Sequence, residues 1–150
     1  MPQIQETNDY QERVLPGLWF YAATLVLPLS FLLIALPFGE QIAVVSALAS
    51  LFLAWGFSWA VAPKIQISRQ FLRVGKASID RDFLGKASVI TPSESFAARG
   101  PNLEMNAYSV FQPSVKGLVR VELKDKADPC PYWIFSTRNP EIVAALLNRN

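Results

Sequence analysis

Residues 18–38, LWFYAATLVLPLSFLLIALPF, and residues 42–62, IAVVSALASLFLAWGFSWAVA, are two apolar runs with only Gly39-Glu40-Gln41 between them. Each holds 21 residues and no Asp, Glu, Lys or Arg. As helices they would each be about 31 Å long, enough to cross the hydrocarbon core of a bilayer. The pattern predicts a transmembrane helical hairpin. A cleaved signal peptide would carry a shorter apolar stretch and a small-residue cleavage site before the second run, and neither is present.

Charge beside the runs sets an expected orientation. Arg13 precedes the first, Lys64, Arg69, Arg73 and Lys76 follow the second, and the link has no basic residue. Basic residues close to span ends favour the cytoplasmic side. The expected organisation is a cytoplasmic N-terminal segment, 1–17, a hairpin, 18–62, and a cytoplasmic domain, 64–150, at the inner face of the cell membrane. From Lys64 onward there are 13 Lys or Arg and 8 Asp or Glu, about +5 on 87 residues. Trp19, Phe20 and Tyr21 open the first run, and Trp55, Phe57 and Trp59 close the second. A hairpin would bring these clusters to one interface, as an aromatic belt. The single cysteine, Cys130, leaves no intramolecular disulfide and fits a reducing compartment.

Within the second run, Ala43, Ala47, Ser50, Ala54 and Ser58 fall on one helical face. Small side chains let helices approach closely in lipid, so this face is expected to pack on the first span, or else on another membrane protein. Pro28 should kink the first span and Pro37 should mark its end. With no Asp, Glu, Lys or Arg inside either run, an ion or proton pathway is not expected.

After Pro63 the period changes to two. Lys64-Ile65-Gln66-Ile67-Ser68 and Phe71-Leu72-Arg73-Val74 read as a tight strand pair. Residues 77–79, 86–90, 107–111, 117–124 and 132–136 read as further strands, and 96–103 as a loop. The chain ends in an amphipathic helix, 140–148, with Asn139 at the cap, Pro140 at its first position and Glu141 in its first turn. The fold class is α+β: a hairpin, then a small antiparallel β-barrel or curved sheet with one C-terminal capping helix.

The segment Asp128-Pro129-Cys130-Pro131-Tyr132-Trp133-Ile134-Phe135-Ser136-Thr137-Arg138-Asn139-Pro140 resembles the C-terminal motif of an actinobacterial family of unknown function. Ile67-Ser68-Arg69-Gln70-Phe71-Leu72-Arg73-Val74-Gly75 is similar to that family's basic strand pair. The resemblance implies a two-span hairpin followed by this domain, and it carries no activity. The domain also resembles, in architecture, bacterial pleckstrin-homology-like modules.

No histidine occurs, which removes the commonest general base and metal ligand together. One cysteine cannot build a zinc cluster, and no phosphate-cradling glycine motif is present. Asp80 with Asp82, and Asp125 with Asp128, are close carboxylate pairs in expected turns. No catalytic, metal or cofactor site is therefore expected. Tyr132, Trp133 and Arg138 could line a pocket, but alternating core positions explain them better. Lys64, Arg69, Arg73 and Lys76 are the candidates for anionic lipid headgroups. The expectation is a non-enzymatic, membrane-anchored scaffold or interaction module. Its alternatives are an accessory subunit of a larger membrane complex and, less expected, a small membrane enzyme using residues 132–138. Lipid and a possible membrane-protein partner are expected, and neither nucleic acid nor a small-molecule substrate.

Overall fold

The computed structural model describes residues 8–125 and 128–149, which form two compact units. One is residues 15–62. The other joins 8–14 to the chain from residue 63 onward.

The first unit is an antiparallel helix pair. Helices α1 (Leu18–Thr24) and α2 (Val26–Ala35) are separated by Leu25, and a short 3-10 turn, Leu36–Phe38, leads to α3 (Glu40–Val61). Pro28 accounts for the break. It has no N–H for the Thr24 carbonyl, four residues earlier, and its ring crowds that carbonyl. The Thr24 hydroxyl donates to the Tyr21 carbonyl at 2.8 Å. Gly39, at φ 121° and ψ 146°, makes the reversal in a conformation that L side chains rarely adopt. Leu18–Phe38 and Glu40–Val61 are both long and apolar enough to cross a membrane. The second begins two residues earlier than the charge-free run, because Glu40 enters its first turn.

Helices α2 and α3 pack together, and the small-residue face lies on the covered side. Ala43, Ser50 and Ser58 are buried and Ala47 and Ala54 half-buried, while Leu48, Phe52, Leu53 and Phe57 are exposed. Ser50 and Ser58 donate to the carbonyls of Ala47 and Trp55, so neither hydroxyl is left unmade in an apolar contact. Tyr21 meets Trp55 edge to face at 5.7 Å, and the Trp55 indole N–H donates to Thr24 Oγ1 at 3.1 Å. The two aromatic clusters thus share one end of the hairpin.

In the second unit, strands β1 (Asn8–Arg13), β2 (Lys64–Ser68), β3 (Phe71–Val74) and β4 (Ala77–Asp80) form an antiparallel sheet in that order. Strands β5 (Leu84–Ile90), β6 (Tyr108–Val110), β7 (Leu118–Leu123) and β8 (Tyr132–Ser136) form a second sheet, ordered β5-β7-β8-β6. Of the barrel or curved sheet expected from the sequence, a closed barrel is not what forms. Consecutive strands β4 and β5 do not pair; a 3-10 turn, Arg81–Phe83, passes the chain from one sheet to the other. Nor is the unit wholly antiparallel, because β6 runs parallel to β8. A short helix, α4 (Ser95–Arg99), overlaps the start of the stretch read as a loop, 96–103.

Alternation fills the core between the sheets. Ile65, Ile67, Leu72 and Val74 from the first meet Val119, Val121, Trp133 and Phe135 from the second, and Val143, Ala144 and Leu147 of α5 (Pro140–Leu147) close one side. Strand β8 is buried on both faces, with Tyr132 and Ile134 joining Leu118 in a satellite cluster under α4. The expected cap at Asn139 is not made by its side chain. That amide donates instead to the Tyr10 hydroxyl at 3.1 Å.

Strand β1 is where the sequence reading and the structure part. Residues 1–17 read as a separate segment, yet Asn8–Arg13 is an edge strand of the domain that follows the hairpin. NDYQER carries no apolar alternation to announce it; its partner, β2, supplies the pattern.

Candidate functional site

Pairing of β1 with β2 means that the hairpin is an insertion between two neighbouring strands. Arg13 opposes Lys64, and the Val14 N–H donates to the Pro63 carbonyl at 2.9 Å. The chain leaves the domain and re-enters it at one hydrogen-bonded point. Inner-facing Ile65 and Ile67 leave Lys64 and Gln66 on the outer face, where Gln66 opposes Arg73. The β3–β4 link is Gly75-Lys76, with Gly75 at φ 62°, the first central position of a II′-type hairpin turn. The Gly75 N–H donates to the Lys64 carbonyl at 2.8 Å, so Lys64, Arg73 and Lys76 share the end where the hairpin inserts. All three are exposed.

Arg69 does not join them. It lies in the β2–β3 turn, about 16 Å away along a five-residue strand. There the Ser68 hydroxyl accepts the N–H groups of Gln70 and Phe71 and fixes the turn. The four expected headgroup residues therefore divide three to one.

Residues of the C-terminal motif bond to several other elements of the domain. Glu12 of β1 points inward and accepts from the Thr137 hydroxyl at 2.5 Å, the Arg138 N–H at 2.9 Å and the Tyr10 hydroxyl at 2.9 Å. Thr137 is fully buried; its hydroxyl also accepts the Asn139 N–H, and its own N–H donates to the Gly117 carbonyl. Burial holds the Tyr10 phenol above its ordinary pKa, with the Glu12 acceptor and charge adding to this and Asn139 and Thr137 opposing it. At neutral pH it stays a donor. The Ser136 hydroxyl accepts the Gln112 N–H, and Gln112 in turn donates to the Val14 carbonyl at 3.2 Å. Asp128 accepts the Cys130 N–H, Pro129 and Pro131 flank that turn, and Pro140 opens α5. The 136–140 stretch thus ties the strand before the hairpin to the sheet after it.

Tyr132 and Trp133 fill core rather than line a shared cleft. Trp133 packs on Tyr108 with ring centroids 4.6 Å apart. Tyr132 floors a groove of about 310 Å³ under α4, with the Arg120 guanidinium 3.7 Å from its ring centroid. Arg138 is exposed. Among the described residues no group of three or more His, Cys, Asp or Glu is placed to hold a metal ion.

A larger cleft, about 840 Å³, opens where the β2–β3 turn, the Arg81–Phe83 turn, the end of β7 and the end of α5 meet. Asp9, Arg69, Arg81, Asp82, Lys124 and Arg149 line it. No sequence motif announces this convergence, since its residues come from five separated stretches. The one signal was a basic residue beside each turn.

An α+β domain of two sheets, interrupted after its first strand by a helical hairpin long enough to span a membrane, defines the class of protein. The profile of a family described as proteins of unknown function, DUF3093, matches residues 9–147, and the chain belongs to that family. The match begins inside β1, which agrees with that strand's place in the domain. No curated protein and no solved structure matches the chain.

Proposed function

We propose that this protein is a non-enzymatic, membrane-anchored interaction module at the inner face of the cell membrane, crossing it twice through residues 18–61. The observation that carries the reading is the pairing of β1 with β2. Residues 8–14 and the domain after residue 63 share one sheet, so both feet of the hairpin must lie on one side of any bilayer it enters. Arg13, Lys64, Arg73 and Lys76 stand at that end, and their charge supports reading it as the one at the cytoplasmic, anionic surface. Coverage of the small-residue face favours a self-contained hairpin over a helix docked on a foreign span. We read the domain as pleckstrin-homology-like: a four-stranded sheet, then antiparallel β5, β7 and β8, then a C-terminal helix. The membrane hairpin replaces its first turn, and parallel β6 is an addition.

The lipid part of this reading predicts a charge effect. Each basic residue near an anionic surface contributes about 1 kcal/mol. The combined variant Lys64→Gln, Arg73→Gln, Lys76→Gln should lower enrichment of phosphatidylglycerol around the full chain in mixed nanodiscs at least tenfold. Arg69→Gln should leave it unchanged. Equal losses from both would show that overall charge, not this end of the domain, attracts lipid.

A further inference from the structure

Among the described residues, three of the four bases lining the 840 Å³ cleft make no hydrogen bond or ion pair with their side chains. Arg81 is fixed: its guanidinium donates to the carbonyls of Leu146 at 2.6 Å, Arg149 at 2.9 Å and Leu147 at 3.3 Å, and to the Ser68 carbonyl at 3.3 Å. It therefore covers the negative end of α5, which would otherwise repel an anion. Arg69, Lys124 and Arg149 are exposed, and among the described residues their side chains make no hydrogen bond or ion pair. Asp9 and Asp82 line the same cleft and close no ion pair onto them among those residues. Charges of both signs thus stand apart around one open volume, held by strand ends and a helix terminus.

We propose that this cleft binds a phosphorylated polyol or sugar, its phosphates taken by Arg69, Lys124 and Arg149 and its hydroxyls by Asp9 and Asp82. Phosphate oxygens accept from guanidinium and ammonium groups, and hydroxyls donate to carboxylates. Among the described residues no aromatic ring lines the cleft, so a nucleotide would find none of them on which to stack its base. Arg81 is a positioning residue. Arg69 lies at the end of β2 opposite Pro63, so a freely diffusing anion is favoured as the source over a bilayer headgroup. This site is independent of the lipid-facing end and can fail without it.

The test uses the full chain in phosphatidylcholine nanodiscs, titrated calorimetrically with fructose 1,6-bisphosphate. Saturable binding is expected, weakened about tenfold by Arg69→Ala or by Lys124→Ala, the loss of one charge-assisted bond, and unaffected by Lys76→Ala. Inorganic phosphate should bind more weakly. No binding would overturn the proposal, as would equal affinity for inorganic phosphate or an equal loss in Lys76→Ala. If instead only nanodiscs containing phosphatidylinositol 4-phosphate show Arg69-dependent headgroup crosslinking, a soluble source is overturned.

Discussion

Replacing Gly117 by alanine should lower the stability of the domain by about 3 kcal/mol, at the upper end of overpacking costs. An added Cβ would stand 2.4 Å from the Thr137 carbonyl oxygen and 3.2 Å from two ring carbons of Pro140. None of these can move aside cheaply. The Gly117 carbonyl accepts the Thr137 N–H at 3.0 Å, Thr137 is fully buried, and Pro140 is held at the start of α5. The strain must be relieved by parting β7 from the turn that follows β8. For a domain of this size, the midpoint of thermal unfolding should fall by more than about 10 °C. Heating the detergent-solubilised chain while following tryptophan fluorescence measures it, since buried Trp133 reports on this core. A shift under about 3 °C would mean that β7 and the turn after β8 part at little cost, and would contradict this account.

The second large effect is expected at Glu12. Glu12→Ala removes the acceptor for three donors at once and leaves the buried Thr137 hydroxyl without the acceptor for its proton. Hydrogen bonds to a charged acceptor contribute about 1.5–3 kcal/mol each and are not additive, so a loss of about 3 kcal/mol is expected. Glu12→Gln keeps one oxygen and should cost less. In a double-mutant cycle with Thr137→Val, coupling of about 1 kcal/mol or more is expected. Additive losses would show that Glu12 and Thr137 do not act together. Beyond stability, Glu12→Ala should loosen the first foot of the hairpin: β1 is an edge strand paired only with β2, and its inward contacts at Tyr10 and Glu12 tie it to the chain after β8.

The hairpin, the β2–β3 pair, strands β7 and β8 and helix α5 were legible because each carries its own period. Runs without charge give the spans, Ile65 and Ile67 give a two-residue alternation, and Ile142, Val143, Leu146 and Leu147 give a helical face. What escaped has long-range causes. Asn8–Arg13 is a strand only because β2 lies beside it, some fifty residues later. The two sheets could not be told from a barrel, because closure depends on whether β4 and β5 pair, and local patterning is the same either way. Asn139 has the chemistry of a cap, but a tertiary partner, Tyr10, claims its side chain. The basic residues were read as one set from their nearness in sequence. Strand length separates Lys64 from Arg69, and a turn returns Lys76 to Lys64. The cleft shared by Arg69, Arg81, Lys124 and Arg149 exists only in three dimensions.

The central claim is that both feet of the hairpin lie on the inner face, with its tip across the membrane. Single cysteines at Gln11, Gln41 and Lys86, placed in a Cys130→Ser background, test it with a membrane-impermeant maleimide. All three positions are exposed. Gln41→Cys should label in intact spheroplasts, and Gln11→Cys and Lys86→Cys only in inverted vesicles. Labelling of Gln11→Cys and Lys86→Cys from opposite faces would contradict the β1–β2 pairing, and labelling of all three from one face would contradict the spanning hairpin.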